Sequence, residues 1–407
     1  MKKHTIKTLL LSSTLFVGAC SNVAEIEPTP SFESIEQTQN ASLILEPFEY
    51  QDELIIPFNT TIRLQASSED DLNLLSESFQ ESMLLLSKQM DAYHSYLEEG
   101  ITNIYDINAS YGTKETIPLT KDLFAILKLG KELTILSKGK FNITIGTLYD
   151  KWSSLFSPFP IVNEDPLGKD IQESLGCVVS YDKIDDVIEL DEAAQTVTFH
   201  NYDSCNTSVK IDVGAIAKGY AAERVRDILS QYDVPFLINC GTSSIATYVP
   251  LNTEKTYYIG IRDPYARVYT LYDYRINGSG ILTTSGDDSS YFLLETDDKP
   301  IIRHHILDAS TGYPNNYIRS STVFSLTDGA VMDALSTALF NCSTDEERKQ
   351  LVKEFEEYFN ISIDYSYFVE DDENGGTLYC TENFYRQIES SSFSEHIYRK
   401  EMIKWKN

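Results

Sequence analysis

Positive charge is scarce in this sequence. Its 407 residues contain 33 Lys and Arg against 62 Asp and Glu, so the formal net charge is −29 at pH 7. A surface this acidic argues against nucleic acid and anionic lipid as partners. No internal repeat is visible either. We therefore predict no nucleic-acid partner. Against this acidic background, a lysine within a motif, such as Lys218, is a local exception.

Cysteine is sparse, and no CxxC motif is present. One of the six cysteines, Cys20, directly follows a predicted N-terminal signal, and the others are widely spaced. This spacing predicts neither a zinc site nor a disulfide framework. It leaves open one or two bridges, which an exported protein can form. The remaining cysteines are Cys177, Cys205, Cys240, Cys342 and Cys380.

The N-terminal apolar run is too short to span a bilayer. It follows three lysines and ends in Gly18-Ala19-Cys20, so residues 1–19 are predicted to be a cleavable signal peptide. Small residues directly before Cys20 resemble a bacterial lipobox, in which the cysteine becomes the lipidated first residue of the mature protein. The alternative is an ordinary secretory signal that ends near a cysteine. The lipobox predicts an extracytoplasmic protein anchored by lipid to a bacterial cell membrane.

Composition then divides the rest of the chain. Residues 20–53 are rich in Glu, Ser, Thr, Gln and Pro with little periodicity, which predicts a flexible tether. We place a globular domain at residues 54–390 and a solvated tail at residues 391–407. Helices and antiparallel-looking strands alternate in the domain, which indicates an α+β fold rather than a doubly wound sheet. Predicted helices cover 69–93, 119–136, 329–340 and 345–358, and predicted strands include 139–148 after a small-residue turn, 187–190, 196–199, 236–239, 257–261 and 303–306.

The segment Ile211–Ala222 is predicted to form a strand, a glycine turn and the start of a helix. Its small residues, among them Gly214 and Ala215, let another group approach the backbone closely. Lys218 places a cation near the helix start, where exposed N–H groups already favour an anion. This pattern suits a phosphate. A tight turn whose glycines serve only packing explains the same residues equally well.

Asp333 is an acid among apolar residues in the predicted helix 329–340, so it needs a partner. Thr337 lies one turn later on the same face. Two oxygens from one helix suit a hard cation such as Mg²⁺. Alternatively, Asp333 caps a neighbouring helix or pairs with a lysine. His305 lies elsewhere, at the end of the predicted strand 303–306. A histidine there either shuttles a proton or forms a hydrogen bond to a loop.

Six segments, in order and with suitable spacing, resemble the motifs of the ApbE family, the FAD:protein FMN transferases. The resemblance spans roughly Leu54 to Phe340 and continues loosely to Ile388. It implies a fold of mixed, largely antiparallel sheets with flanking helices and an FAD cleft between two lobes. The segments are Gly139–Leu148, Ile211–Ala222, Asn239–Ser244, Thr283–Asp287, His305–Pro314 and Asp333–Phe340.

The resemblance also implies a reaction. FAD is split at its pyrophosphate, AMP leaves, and FMN is joined by a phosphoester to a Thr or Ser hydroxyl of an exported or membrane redox protein. By similarity, Mg²⁺ is bound by the side chains of Asp333 and Thr337 and the backbone carbonyl of Ala215. His305 is our candidate for accepting the hydroxyl proton, although Asp287 or Asp308 could do the same work. The residues implied to hold FAD are Lys140, Phe141, Asn142, Thr144, Asp212, Lys218, His305 and Leu307.

This chain departs from the family pattern in places. The family usually has an acid where Asn142 stands and a second glycine where Thr242 stands, and both positions belong to the expected FAD cleft. Further departures are Thr147, Ala309 and Ser336. Two other functions remain open: an FAD pyrophosphatase that uses water instead of a hydroxyl, and a flavin-binding lipoprotein without catalysis. No acceptor-like Ser/Thr-Gly-Ala-Thr segment is present, so we do not expect self-flavinylation.

Overall fold

The computed structural model describes residues 40–403 except Pro158, Pro160, Arg267, Glu373 and Ser391. The predicted signal peptide, the lipidation site at Cys20 and residues 21–39 of the tether lie outside the described residues. Within them, no helix combines the length and the apolar character needed to cross a membrane.

The helices are α1 (Glu69–Gln89), α2 (Ile104–Ala109), α3 (Lys121–Leu136), α4 (Gly146–Trp152), α5 (Gly168–Leu175), α6 (Ile184–Val187), α7 (Gly214–Leu229), α8 (Gly329–Phe340), α9 (Asp345–Phe359) and α10 (Glu382–Gln387). The strands are β1 (Ala41–Ile44), β2 (Phe48–Tyr50), β3 (Glu53–Ile55), β4 (Ile62–Ala66), β5 (Thr116–Pro118), β6 (Ile188–Asp191), β7 (Thr196–Phe199), β8 (Phe236–Cys240), β9 (Ser244–Tyr248), β10 (Thr256–Arg262), β11 (Thr270–Asn277), β12 (Gly280–Gly286), β13 (Tyr291–Leu294), β14 (Ile301–His304), β15 (Ser320–Ser325), β16 (Asp364–Asp372), β17 (Gly375–Cys380) and β18 (Ile397–Met402).

A nine-stranded sheet organises the described chain, in the order β1-β4-β8-β9-β12-β15-β16-β17-β18. Its neighbouring strands run antiparallel except the parallel pair β17–β18. Smaller sheets pair β10 with β11, β13 with β14, β2 with β3, and β7 with both β5 and β6. The predicted α+β class with largely antiparallel sheets is confirmed.

Local chemistry explains where the long helices begin. Ser68 caps α1 by accepting a hydrogen bond from Asp71 N at 3.1 Å, and acids fill the first turn, where the helix dipole favours them. Thr120 caps α3 in the same way, from Leu123 N at 3.2 Å. Leu75 of α1 and Val225 of α7 share a buried core with Ile238 of the sheet. Burial of apolar surface from both layers stabilises the domain.

Helices α7 and α8 cross at two glycines. A Cβ at Gly219 would lie 2.1 Å from the carbonyl oxygen of Gly329, so neither position has room for a side chain. One turn along α7, Glu223 accepts hydrogen bonds from Asp328 N and Gly329 N, both at 2.7 Å, and thereby caps α8. Close backbone contact and a shared cap therefore fix the first turn of α8 against α7.

Two predicted boundaries and one predicted strand were wrong. Residues 41–53, assigned to the tether, contain β1, which pairs with β4, and most of the β2–β3 hairpin. Part of the predicted tail forms β18, which pairs with β17. The strand predicted within residues 139–148 is instead an irregular segment followed by α4, which begins at Gly146.

Candidate active site

A cleft of about 1010 Å³ lies where α7 and α8 meet the ends of strands from the large sheet. Most residues that the sequence predicted for the site line this cleft, although they come from widely separated segments. Thr144 is the exception, since it is fully buried and does not line the cleft. The predicted residues that do line it are Lys140, Phe141, Asn142, Asp212, Ala215, Lys218, His305, Leu307, Asp333 and Thr337.

Asp333 joins both helices to the sheet. Its Oδ2 accepts a hydrogen bond from Gly219 N of α7 at 2.6 Å, and its Oδ1 accepts one from Ser244 Oγ of β9 at 2.7 Å. Burial raises the pKa of this carboxyl, while the nearby charge of Lys218 and the two hydrogen bonds act in the opposite direction. These contacts match neither a helix cap nor a lysine pair, the two structural alternatives for Asp333.

The predicted metal ligands converge on the same place. Ala215 lies one turn before Gly219 on α7, Thr337 lies one turn after Asp333 on α8, and all three predicted ligands line the cleft. A carboxylate, a hydroxyl and a backbone carbonyl form the all-oxygen set that Mg²⁺ prefers, and a carboxylate with two hydrogen bonds can still accept more. A cation beside Asp333 would also offset the cost of burying its charge. The donor set therefore fits Mg²⁺.

Few carboxylates lie near Asp333, so protein side chains alone would supply few ligands to a metal ion there. Across the described part of the chain, no group of three or more His, Cys, Asp or Glu is placed to hold a metal ion. A magnesium ion at Asp333 would then depend on oxygens from a substrate as well, as is common for Mg²⁺ bound together with phosphates.

The glycine turn before α7 places an acid and a lysine side by side. Asp212 Oδ1 accepts a hydrogen bond from Gly214 N at 2.7 Å, and Lys218 Nζ donates to Gly214 O at 3.0 Å. Burial raises the pKa of Asp212, and the Gly214 N–H and Lys218 partly offset this. Among the described residues Lys218 forms no ion pair within 4.0 Å, so its charge is available to an anionic ligand.

Asn142 is held by hydrogen bonds that fix the orientation of its amide. Its Oδ1 accepts from Thr144 N at 2.9 Å and from Thr144 Oγ1 at 2.8 Å, and its Nδ2 donates to Val179 O at 2.9 Å. Asn142 itself lines the cleft. Thr144 therefore orients Asn142 instead of lining the cleft itself. An acid at position 142 could not make the bond to Val179 O unless it were protonated.

His305 is a neutral imidazole in the cleft. Burial, together with the charge of Lys218, lowers its pKa to about 4. Its Nδ1 lies 3.3 Å from Ser290 O, so Nδ1 carries the hydrogen and Nε2 is left as the acceptor. The adjacent His304 is fully buried, with Nε2 donating to Asn315 O at 2.5 Å and Nδ1 accepting from Ile306 N at 3.2 Å. His304 therefore supports the fold, whereas His305 lines the cleft.

The family assignment follows from comparison with known proteins. The sequence profile described as the ApbE family matches residues 58–359. The chain belongs to the ApbE family. It is 32% identical over 248 residues to an FAD:protein FMN transferase of Klebsiella pneumoniae, covering 60% of this chain and 70% of that protein. It is 25% identical over 293 residues to the Haemophilus influenzae protein of the same name, covering 70% and 79% respectively.

Solved ApbE structures share the fold of this ApbE chain. The ApbE protein of Thermotoga maritima superposes with a TM-score of 0.65 at 23% identity, covering 86% of this chain and 100% of that one. The apo flavinyl transferase ApbE of Pseudomonas stutzeri gives a TM-score of 0.58 at 18% identity, covering 86% and 96%. At these identities the likeness concerns the fold alone. The predicted family and fold are confirmed.

The two acids considered as alternatives to His305 do not line the cleft of this ApbE protein. Asp287 is buried and forms an ion pair with Arg319, and burial raises its pKa to about 7. Asp308 Oδ1 accepts from Ser310 N at 2.8 Å and from Ser310 Oγ at 2.6 Å, as in a turn. Asp288, the neighbour of Asp287, lines the cleft and lies 3.4 Å from Arg262.

Several residues that line the ApbE cleft were missed from the sequence. Tyr93 and Tyr149 belong to it; Tyr93 is half-exposed, whereas burial together with the charge of Asp212 raises the pKa of Tyr149 to about 12. Asp91 Oδ2 lies 2.9 Å from His94 Nδ1 in the same wall. Asp91, Tyr93 and His94 follow the end of α1, and Tyr149 lies within α4; none of the four lies in one of the six motif segments.

One disulfide connects the segments behind this site. Cys177 is bonded to Cys205, while Cys240, Cys342 and Cys380 are free and buried. Val179, two residues after Cys177, accepts the hydrogen bond from Asn142 and donates its own N–H to Thr144 Oγ1 at 2.9 Å. The disulfide therefore restrains the irregular segment around Val179, which in turn orients Asn142.

Replacing both bridged cysteines should destabilise this ApbE protein. The bridge closes a loop with a sequence separation of 28, and loss of such a constraint lowers the free energy of unfolding by about 3 kcal/mol. We expect Cys177→Ser with Cys205→Ser to show this decrease in urea unfolding, together with a higher KM for FAD. Cys380→Ser, at a free buried cysteine that does not line the cleft, serves as the control for cysteine loss alone. Equal unfolding curves for the double variant and the wild type would contradict the expectation.

Proposed function

We propose that this protein splits the pyrophosphate of FAD, releases AMP and joins FMN through a phosphoester to a Thr or Ser hydroxyl of another protein. The observation that carries the proposal is the α7–α8 crossing, because it brings Ala215, Lys218, Asp333 and Thr337 to one cleft. Curated relatives carry the name FAD:protein FMN transferase, which supports an enzyme of that class. The hydroxyl oxygen forms the new bond to the phosphorus of FMN as the bond to AMP breaks.

The Asp333 carboxylate, the Thr337 hydroxyl and the Ala215 carbonyl would hold Mg²⁺, which when bound supplies positive charge to the pyrophosphate oxygens. Asp333 has a second task, since its bonds to Gly219 and Ser244 keep α7 and β9 in place. These restraints position the ligands before substrate arrives.

Lys218 would stabilise the charge that develops on the departing AMP. Its ammonium group lies on the first turn of α7, close enough to lower the pKa of His305. Phosphoryl transfer depends mainly on positioning and charge neutralisation, and a cation at a helix start supplies both. Asp212, fixed by the Gly214 N–H, holds the same turn in shape.

His305 is suited to accept the proton of the attacking hydroxyl, because its Nε2 is unprotonated and the residue lines the cleft. Since its pKa is lowered to about 4, it stays neutral throughout the physiological range. The same shift makes it a weaker base than an exposed histidine, so part of the driving force must come from stabilising the leaving group.

This assignment predicts a specific pH dependence. The contribution of His305 needs its neutral form, which is present above about pH 4 and lost as pH falls through that value. We expect the ratio of wild-type to His305→Gln transfer rates to stay constant, at about 10²-fold, between pH 5.5 and 8. Rates are measured by AMP release. A ratio that falls with a midpoint near 6.5 would show that His305 is not held neutral by its surroundings.

Repeated cleavage of FAD would distinguish an enzyme from a protein that only binds flavin. We expect purified protein with FAD, an acceptor and Mg²⁺ to release AMP steadily, as measured by liquid chromatography, and EDTA to stop the release. FAD that remains intact after long incubation with Mg²⁺ and acceptor would support the non-catalytic alternative instead.

We also propose that the protein is attached to the outer face of a bacterial membrane by lipid on Cys20 and modifies an exported or membrane redox protein. The motivation is the lipobox-like ending of residues 1–20. Expression of the full chain should place it in the membrane fraction, and Cys20→Ser should release it. A wild-type chain found only in the soluble fraction would contradict the anchor.

A further inference from the structure

The mouth of the cleft carries exposed apolar side chains from separate parts of the chain. Leu54 and Ile56, in and after β3, are 63% and 47% exposed, and Tyr93 after α1 is 50% exposed. The turn between β10 and β11 contributes Val268 at 87% and Tyr269 at 69%. All of these line the cleft while projecting into solvent. We call these side chains the apolar rim.

The apolar rim lies beside a strongly acidic hairpin. Residues 40–62, which include β2 and β3, contain Glu46, Glu49, Asp52 and Glu53 but no Lys or Arg. These acids are all exposed. Glu53 Oε2 lies 3.4 Å from His94 Nε2, and the side chain of Glu53 is still largely in solvent. The hairpin therefore presents negative charge next to apolar surface at the entrance of the site.

Such an entrance suits a polypeptide better than it suits FAD. Exposed apolar groups gathered around a cleft mark an interaction surface, and complementary charge steers the partner and fixes its register. FAD carries phosphates, which the acidic hairpin repels. A second copy of this chain would bring another net charge of −29, so self-association on this surface is also disfavoured.

We infer that the apolar rim and the β2–β3 hairpin dock the acceptor protein, and that they select acceptors whose hydroxyl-bearing segment combines apolar side chains with adjacent Lys or Arg. The inference rests on the proposed function, because only a transferase has to admit a second polypeptide. It assigns the rim to the acceptor and the interior of the cleft to FAD.

A pair of synthetic peptides tests the charge preference. Both contain one acceptor-like segment, Ser-Gly-Ala-Thr, flanked by Leu and Val, and they differ only in carrying two Lys or two Glu beside that segment. At low salt we expect kcat/KM for FMN attachment to be about tenfold higher for the Lys peptide, which corresponds to a modest gain per exposed charge pair. The preference should shrink at high salt, because screening weakens exposed charges. Attachment is measured by mass spectrometry.

Variants test the rim itself. Leu54→Ser with Ile56→Ser, and separately Val268→Ser with Tyr269→Ser, should raise the KM for the Lys peptide about tenfold and leave kcat unchanged. Leu251→Ser is the matched control, since Leu251 is fully exposed and does not line the cleft. Glu49→Gln with Asp52→Asn should reduce the preference for Lys, whereas Asp297→Asn with Asp298→Asn, also exposed acids away from the cleft, should not.

The outcomes separate this inference from the proposed function. If the wild type labels both peptides equally and the rim variants behave like Leu251→Ser, the docking surface is wrong while the transferase function stands. If the wild type cleaves FAD but labels neither peptide, the transferase function fails and the docking surface fails with it. Labelling that follows both the charge and the rim supports the inference.

Discussion

Asp333→Ala should lower kcat/KM for FAD cleavage by about 10³-fold, the order of effect seen when one preorganised electrostatic group is removed from an active site. The buried carboxylate would be the principal Mg²⁺ ligand, and it is the acceptor for Gly219 N at 2.6 Å and Ser244 Oγ at 2.7 Å. Its loss would remove the proposed Mg²⁺ ligand and loosen the contact between α7, α8 and β9. The assay follows AMP release over a Mg²⁺ titration, and the wild-type response to Mg²⁺ should disappear.

Two controls separate chemistry from folding in this test. Glu77→Ala removes an exposed acid of α1 that does not line the cleft, and its activity should match the wild type. Asp333→Asn keeps the shape and both hydrogen bonds, since its amide oxygen can accept from Gly219 N and its amide nitrogen can donate to Ser244 Oγ, but it removes the negative charge, so we expect a loss similar to that of alanine. Circular dichroism checks that each variant is folded. An Asp333→Ala protein that retains activity and responds to Mg²⁺ as the wild type does would contradict the metal assignment.

Gly219→Ala should lower the free energy of unfolding by about 4 kcal/mol, through over-packing and loss of a buried hydrogen bond. The added Cβ would lie 2.1 Å from Gly329 O and 2.8 Å from Asp333 Cγ, so α7 and α8 must separate. Separation would also break the bond from Gly219 N to Asp333, and we therefore expect AMP release to fall with stability. Urea unfolding measures the first effect and the same FAD assay measures the second.

Gly168→Ala is the matched control for the glycine test. Gly168 is the first residue of α5, and its added Cβ would meet only Tyr313 Oη, at 4.0 Å. Alanine there should change the free energy of unfolding by no more than about 1 kcal/mol, with stabilisation favoured because the unfolded chain loses freedom. If Gly219→Ala behaves as Gly168→Ala does, the two helices are not in the close contact on which the metal site depends.

Helices with side-chain caps and regular apolar spacing could be predicted from the sequence. The predicted start of the helix at residues 119–136 agrees with α3 because Thr120 caps it. The strand predicted after Gly139 was wrong for a physical reason. Its β-branched residues alternate as in a strand, but neighbouring side chains satisfy the backbone there, with Ser137 Oγ accepting from Phe141 N at 3.1 Å and Thr134 Oγ1 accepting from Ile143 N at 3.2 Å.

Edge strands escaped prediction because they carry little hydrophobic pattern. β18 is exposed along almost its whole length and is placed by backbone hydrogen bonds to β17. β1 contains few buried residues and lies in an acid-rich segment, so composition alone indicated a tether. Average composition cannot show a short strand whose partner, here β4, follows later in the chain.

The site was only partly predictable. Sequence motifs identify residues that could bind a ligand, but they do not identify the residues that hold those side chains in position. Asp333 and Lys218 stand in recognisable segments, and both line the cleft. The cap that Glu223 provides for α8 could not be inferred, since it depends on how the two helices cross. The same holds for the apolar rim, whose members come from unrelated segments and meet only in the folded chain.

Labelling of an acceptor is the most direct test of the proposed transferase. The protein is incubated with FAD, Mg²⁺ and a polypeptide that carries the acceptor-like segment Ser-Gly-Ala-Thr, and the polypeptide is then examined by mass spectrometry and in-gel flavin fluorescence for a modified Thr. We predict FMN bound covalently to that Thr and one AMP released for each FMN attached. Free FMN and AMP beside an unmodified acceptor would contradict the account and identify an FAD pyrophosphatase instead.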